Sequence, residues 1–179
     1  MENTMKGVVL AVAVACMGLA ACTVTQYKLG KLKSKEVDPD YMSAVEVEKS
    51  LDCLALNIYR EAGNEPFEGK VAVAQVTLNR VESGKFPREI CAVVYQKGRN
   101  PFTDKIVCQF SWYCDSKHRN RPVDDEAYEE SYRVAKMVFL EDFRLESIKD
   151  ALYYHADYVS PNWKLKRVAK IGTHIFYEG

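Results

Sequence analysis

Apolar residues recur at three- and four-residue spacing between positions 51 and 62, a period that predicts an amphipathic helix. The stripe consists of Leu51, Leu54, Ala55, Ile58 and Ala62. Gly63 follows, and because glycine adopts the left-handed C-cap conformation at little cost, we expect the helix to end there. Asn64 is the expected N-cap of a second helix, with Glu65 and Pro66 in its first turn.

The second helix is apolar nearly all round from Val71 to Val81, which predicts a central, buried position. Glu61 follows Ile58 by three residues and therefore lies at the edge of the first apolar stripe. A carboxylate there faces the start of a buried helix and is poorly solvated. Desolvation favours the protonated form that a general acid needs, so Glu61 is a candidate catalytic acid.

Shorter elements are expected after the second helix. Phe86-Pro87 predicts the start of a third helix that runs to about Tyr95. Residues 97–123 have no period and many turn formers, and a structureless loop of this length inside a domain is usually functional. The acidic residues 124–126 open a fourth helix, because negative charge is stabilising at the positive end of a helix.

The C-terminal part changes character. Ala151 to Ala156 is a predicted strand, and Ile171 to Tyr177 alternates as a second one. Turn-forming residues 160–163 lie between them. The sequence therefore predicts an α+β fold: a small helical domain with a short antiparallel β-hairpin near the C-terminus.

The N-terminus is predicted to lie outside this domain. Lys6 precedes an apolar run over residues 7–21, which is short for a bilayer span and typical of a secretion signal. Leu19-Ala20-Ala21-Cys22 resembles a bacterial lipoprotein box, in which Cys22 becomes lipidated. An ordinary signal peptide and an uncleaved anchor are the alternatives. We expect a signal over 1–22, a polar, lysine-rich tether over 23–48 and the domain over 49–179.

Export places the protein in an oxidising compartment, the periplasm or cell envelope, where cysteines form disulfides. Cys53, Cys91, Cys108 and Cys114 allow three pairings. Cys108 and Cys114 bracket one short segment, which favours Cys108–Cys114 and leaves Cys53–Cys91. No CxxC or HExxH motif indicates zinc, so we expect no metal and no cofactor. Lys plus Arg equals Asp plus Glu at 25 each, and this balance does not indicate a nucleic-acid partner.

Aromatic residues form two candidate sugar-binding groups. Phe110 and Trp112 lie in the predicted loop, where they form one wall of a saccharide groove, a plug in the core, or both. The second group is a candidate sugar-binding floor in the hairpin region and consists of Tyr153, Tyr154, His155, Trp163 and His174. Each residue taken singly is more often structural.

Three segments carry a family resemblance: LNIYREAGNEPFEGKVAVAQVTLNRV, CQFSWYCD and ALYYHADYVSPNW. Together they resemble the SleB-type cell wall hydrolases, the spore cortex-lytic enzyme family, over about residues 50–179. The resemblance implies a small lysozyme-like fold and cleavage of peptidoglycan glycan strands after N-acetylmuramic acid. Its one essential glutamate corresponds by position to Glu61. The family usually has Glu-Ala-Arg-Gly-Glu where this chain has Glu61-Ala62-Gly63-Asn64-Glu65, so the contacts of that arginine are not carried over.

The resemblance implies that Glu61 protonates the leaving glycosidic oxygen and then acts as a base. A muramidase needs a second carboxylate, for which Asp115 and Asp157 are candidates. A lytic transglycosylase needs none, because the sugar's own 6-hydroxyl captures the cation. Glu65, a further candidate substrate contact, and Glu68 are rivals of Glu61, although acids at a helix start are commonly explained by the helix dipole.

Two other function classes stay open. An amidase or peptidase would cut the stem peptide, with zinc on His155 and His174 or with Cys53 as a nucleophile. A non-catalytic lipoprotein would only bind peptidoglycan. In each case the expected partners are peptidoglycan and a membrane, the latter through lipid at Cys22.

Overall fold

The computed structural model describes residues 42–179. The signal, Cys22 and most of the predicted tether lie outside the described residues. The helices are α1 (Ala44–Ala62), α2 (Phe67–Glu82), α3 (Ile90–Val94), α4 (Ser111–Cys114), α5 (Ser116–Arg119) and α6 (Asp125–Leu140). The strands are β1 (Lys97–Arg99), β2 (Ile106–Cys108), β3 (Ala151–Ala156), β4 (Arg167–Ile171) and β5 (His174–Glu178). A 3-10 turn, Glu146–Ile148, precedes β3. The α+β prediction is confirmed.

Helix α1 begins earlier than the predicted domain boundary at residue 49. Ser43 is its N-cap, and the Ser43 hydroxyl accepts a hydrogen bond from the backbone N–H of Glu46. The Glu46 side chain in turn accepts one from the Ser43 N–H, which completes a capping box. The last residues of the predicted tether are therefore the exposed first turns of α1.

The main core lies between α1, α2, α3 and α6. Every residue of α2 from Gly69 to Val81 is buried, which confirms the central position predicted for this helix. A smaller apolar group joins the other side of α2 to the sheet through Val76, Ala151 and Phe176. No helix among residues 42–179 is long and apolar enough to cross a membrane.

The corner between α1 and α2 differs from the prediction. Gly63 has φ −55° and ψ −34°, which is right-handed, so the expected left-handed cap is wrong. Asn64 is not the N-cap of α2, because α2 starts at Phe67 with Pro66 as its cap. Pro66 lacks an N–H and has φ −62°, and both properties suit the start of a helix. The acidic corner is therefore a separate turn, and Glu65 lies outside α2.

Residues 97–123 are not a structureless loop. Strands β1 and β2 pair as an antiparallel hairpin, with Lys97 opposite Cys108, and α4 and α5 follow. Helix α3 is also shorter than predicted, since it begins at Ile90. The missed elements have four residues or fewer, and so short an element carries no detectable hydrophobic period.

Both predicted disulfides are present. Cys53–Cys91 joins α1 to α3, and Cys108–Cys114 joins β2 to α4. The first bridge closes a long segment across the core, whereas the second closes a short turn at the surface.

The C-terminal sheet has three strands in the order β3-β5-β4, all antiparallel. Strand β3 matches the prediction, and its partner is β5, as expected. The prediction of one continuous strand over 171–177 is wrong, because Gly172 and Thr173 form a turn that separates β4 from β5. The basic segment before this turn supplies β4, which the sequence reasoning missed.

Candidate active site

A cleft of about 470 Å³ opens where the end of α1 meets the sheet and the segment between α5 and α6. Residues 59–65 form one part of its wall, and Ala156, Thr173 and His174 form another. The third part comes from residues between 118 and 127. Each wall belongs to a different region of the chain, so the cleft exists only after the helices and the sheet have packed together.

Glu61 lies in this cleft at the end of α1 and is only partly exposed. The hydroxyl of Tyr154, on β3, donates a hydrogen bond to Glu61 Oε2 at 3.0 Å. Burial raises the pKa of the Glu61 carboxyl, while the Tyr154 hydrogen bond and the Arg80 charge act in the opposite direction. The net direction is upward, as predicted, and it favours the protonated form that a general acid needs.

Arg80 is a buried cation behind Glu61 that the sequence reasoning missed. Its side chain lies between the rings of Phe86 and Phe110, about 5.1 and 5.0 Å from their centroids. The Arg80 Nε–H donates to the Leu152 carbonyl at 2.8 Å, so the guanidinium fixes β3 against α2. The signal in the sequence is a lone arginine near the end of an otherwise apolar helix.

Glu65 lines the same cleft, but its carboxylate is already bound. Oε2 accepts from the Thr173 N–H at 2.9 Å, and Oε1 accepts from the Thr173 hydroxyl. Burial acts to raise the pKa of Glu65, but the Thr173 hydrogen bonds lower it overall. The adjacent Gly172 is left-handed at φ 56°, and a Cβ there would lie 1.9 Å from Glu65 Oε2. Glu65 therefore holds the β4–β5 turn against the α1–α2 corner.

The predicted sugar-binding floor is divided between two faces of the sheet. Tyr154 and His174 pack together at 5.0 Å between centroids and face the helices, where Tyr154 meets Glu61 and His174 lines the cleft. Tyr153 and His155 alternate with Tyr154 along β3 and contact Trp163 instead. Neither of them, nor Trp163, lines the cleft.

Phe110 and Trp112 lie in the core. They are 1% and 5% exposed, which contradicts a role as a groove wall and agrees with the alternative that they plug the core. The Trp112 indole N–H donates to Asn57 Oδ1 at 3.0 Å, and Asn57 Nδ2 donates to Thr77 at 3.3 Å. This buried chain of hydrogen bonds joins α4 to α1 and α2.

Neither of the two candidates for a second catalytic carboxylate lines the cleft, and each is bound to another side chain. Asp115 caps α5 and binds His118 Nδ1 at 2.8 Å. Asp157 pairs with Lys170 at 2.7 Å. Glu68 is exposed and does not line the cleft. Asp124, which the sequence predicted only as part of a helix start, does line it, and its Oδ1 caps α6 through the Ala127 N–H.

A family model described as Cell Wall Hydrolase matches residues 64–177, which is more than half of the chain. The chain belongs to the cell wall hydrolase family. Glu61 lies three residues before the matched range. The spore cortex-lytic enzyme of Bacillus subtilis (strain 168) is 29% identical over 129 residues, or 70% of this chain and 36% of the relative. The spore cortex-lytic enzyme of Bacillus cereus is 29% identical over 133 residues, or 72% and 44%. The chain thus spans less than half the length of these curated relatives.

Two solved structures share the fold of this cell wall hydrolase. The catalytic domain of the Bacillus cereus SleB protein has a TM-score of 0.53 at 25% identity, covering 78% of this chain and 94% of that one. The catalytic domain of the germination-specific lytic transglycosylase SleB from Bacillus anthracis has a TM-score of 0.54 at 26% identity, covering 78% and 99%. The resemblance to SleB-type hydrolases and the lysozyme-like fold are confirmed.

Both amidase alternatives require residues that already have other partners in this cell wall hydrolase. Cys53 is in a disulfide and has no free thiol to act as a nucleophile. Both ring nitrogens of His155 are in hydrogen bonds, to the Ala156 carbonyl and the Tyr177 hydroxyl, each at 2.9 Å. A zinc site on His155 and His174 would first have to break these bonds.

Proposed function

We propose that this protein cleaves the glycan strand of peptidoglycan after N-acetylmuramic acid, with Glu61 as the general acid and base. The observation that carries the proposal is the Glu61 carboxyl itself: it lines the cleft, is largely withdrawn from water, and has a raised pKa. A carboxyl in this state can protonate the oxygen of a leaving sugar. The solved relative from Bacillus anthracis is described as a lytic transglycosylase, which supports this class of reaction.

The first step is proton transfer from Glu61 to the glycosidic oxygen as the bond to the muramic acid anomeric carbon breaks. The resulting cation is captured by an oxygen nucleophile. Glu61, now ionised, removes the proton from that nucleophile and returns to its starting state. The Tyr154 hydroxyl, 3.0 Å from Glu61 Oε2, stabilises the carboxylate during the interval between the two transfers.

Intramolecular capture by the muramic acid 6-hydroxyl is the route that the carboxylate positions favour. Asp115 is bound to His118 and Asp157 to Lys170, and neither carboxylate lines the cleft. Glu65 is bound to Thr173. A dedicated nucleophile or water-activating base would have to be one of these, or Asp124. The protein is accordingly proposed to act as a lytic transglycosylase rather than as a hydrolytic muramidase.

The reaction product tests this proposal. Digestion of purified peptidoglycan should release muropeptides that end in anhydro-muramic acid, each lighter by one water than a reducing end, as mass spectrometry measures directly. Reducing ends would instead indicate a muramidase and make Asp124 the second carboxylate to mutate. Intact glycan with free stem peptides would refute the proposal and favour an amidase. Bound but uncut peptidoglycan would favour a non-catalytic binding protein.

Tyr154→Phe should shift the pH dependence of the rate. Glu61 must be protonated for the first step, so activity falls as pH rises through the pKa of Glu61. Removing the Tyr154 hydroxyl removes a hydrogen bond that lowers this pKa, so the alkaline limb of the profile should move to higher pH. The measurement is a kcat/KM profile of wild type and variant. Tyr132→Phe, on α6 and outside the cleft, is the control and should leave the profile in place.

We further propose export and attachment of the protein to a membrane through lipid at Cys22. The support is the apolar run over 7–21, which ends in Ala20-Ala21 and is followed directly by Cys22. Metabolic labelling with a fatty acid should label the wild type and not Cys22→Ser, whereas the domain should remain folded in both. An unlabelled wild type, cut at another position, would indicate an ordinary signal peptide.

A further inference from the structure

A short basic stretch runs from α5 into the segment that follows it. Residues 117–121 are Lys-His-Arg-Asn-Arg, whereas the whole chain has equal numbers of basic and acidic residues. Of this segment, His118 and Arg121 line the cleft. The cleft also contains the carboxylates of Glu61, Glu65 and Asp124, so the positive charge in this part of it is local to Arg121.

Arg121 has donors that the fold does not use. Its guanidinium makes no hydrogen bond or ion pair with another residue in the described part of the chain, 42–179. Two neighbouring side chains are engaged, since Arg119 Nη1 donates to the Tyr113 carbonyl at 3.2 Å and His118 Nδ1 binds Asp115. A guanidinium carries five N–H donors in a planar fork that matches a carboxylate. Arg121 thus presents an unfilled anion-binding group to the cleft.

The backbone beneath Arg121 is fixed to the same helical turn that carries Glu61. Arg60 Nη2 donates to the Arg121 carbonyl at 2.7 Å and to the Arg119 carbonyl at 3.4 Å. The Tyr59 hydroxyl accepts from the Asp124 N–H at 3.1 Å, which holds the next part of the segment. Because Tyr59 and Arg60 directly precede Glu61, an anion on Arg121 would have a defined position relative to the acid.

We propose that Arg121 forms an anion subsite for a carboxylate on the muramic acid substituent of the substrate. This inference rests on the proposed function. The sugar hydroxyl and acetamido groups are neutral, so the anionic groups near the scissile bond belong to that substituent. They are the carboxylates of the stem peptide or, where the peptide has been removed, the lactyl carboxylate of muramic acid. Arg121 binds either through charge-assisted hydrogen bonds and so selects for a charged strand.

The test compares wild type and Arg121→Gln on three substrates: intact peptidoglycan, peptidoglycan whose carboxylates have been amidated by carbodiimide coupling, and glycan stripped by an amidase. Wild type should cut the intact substrate faster than the amidated one. Arg121→Gln should lower kcat/KM on the intact substrate by about two- to fivefold, the effect of an exposed ion pair, and leave the amidated substrate unaffected. The preference of the wild type should also weaken as salt is raised.

Arg119→Gln is the matched control. This variant removes the same charge from the residue two positions earlier, whose side chain binds the Tyr113 carbonyl. It should keep the wild-type preference. An Arg121-dependent preference for intact over stripped glycan would identify the stem peptide as the main source of the carboxylate, and the opposite preference would identify the lactyl group. Equal Arg121-dependent rates would mean that Arg121 binds either carboxylate. Equal wild-type rates on intact and amidated substrate, or the same loss in Arg121→Gln on both, would overturn the inference. Wild type inactive on all three would instead refute the proposed function.

Discussion

Glu61→Gln should lower kcat/KM on purified peptidoglycan by about 10²–10⁴-fold, and by more if the same carboxyl serves both proton transfers. The amide keeps the shape of the side chain and can still accept the Tyr154 hydrogen bond. It can neither donate nor accept the catalytic proton, so binding should survive while turnover is lost. Release of soluble muropeptides measures turnover, and co-sedimentation with insoluble peptidoglycan measures binding.

The same variant should be at least as stable as the wild type at neutral pH. Burial raises the pKa of Glu61 in the folded state, so folding favours the protonated carboxyl. The stability from this group is fully present below the unfolded-state pKa and is lost as pH rises through the folded-state pKa. Glutamine has no such loss. Thermal unfolding should therefore give similar midpoints for variant and wild type near pH 4 and an equal or higher midpoint for the variant near pH 8.

Glu68→Gln is the matched control for Glu61→Gln, because Glu68 is an exposed glutamate in the first turn of α2 that does not line the cleft. It should keep nearly full activity. Glu65→Gln should have an intermediate effect, since an amide can accept only part of the Thr173 contact that holds the β4–β5 turn. Full activity in Glu61→Gln would refute the proposed mechanism, whatever the product analysis showed.

Removal of the Cys53–Cys91 bridge should lower the free energy of unfolding by about 4 kcal/mol, because the bridge closes a long segment of the unfolded chain. The two cysteines are 38 residues apart in sequence, and the bridge joins α1 to α3 across the core. Cys53→Ala with Cys91→Ala, followed by urea denaturation, measures the loss. A domain of ordinary stability would then be close to unfolding at physiological temperature.

The Cys108–Cys114 bridge is the internal comparison. Its cysteines are six residues apart, and the same chain-entropy argument gives about 2 kcal/mol. The double alanine variant there should remain folded and keep activity, since neither cysteine lines the cleft. Equal losses for the two bridges would contradict the entropic argument. Four free thiols in protein recovered from an oxidising compartment would contradict both bridges.

Several features of the fold could be derived from the sequence because they depend on local pattern alone. The three- and four-residue apolar period placed α1, and the nearly all-round apolar composition of α2 predicted its central, buried position. The strand predicted from Ala151 to Ala156 matches β3. Glu61 emerged as a candidate because its place at the edge of an apolar stripe already implied poor solvation. In each case the deciding interaction is between a side chain and water, which composition and spacing report directly.

The hairpin and short helices over 97–123 depended on contacts made elsewhere. Elements of three or four residues are held by disulfide Cys108–Cys114 and by Trp112 packing, and neither leaves a period in the sequence. Trp112 shows the limit of residue type as a guide. An aromatic residue is equally suited to stacking on a sugar and to packing in a core. Only the residues that pack over its ring decide between these two roles.

The composition of the site was decided by tertiary structure. Alternation along β3 sends Tyr154 toward Glu61 and Tyr153 to the other face, but which face meets α1 depends on how the sheet packs. Arg80 and Arg121 contact the site region from positions 19 and 60 residues after Glu61, and nothing local to either indicates that they would meet it. The sequence by itself determined that Glu61 is a candidate acid and that it is poorly solvated. The packing of helices on the sheet determined its hydrogen-bond partner, the charges around it and the shape of the cleft, because those depend on distances between residues far apart in the chain.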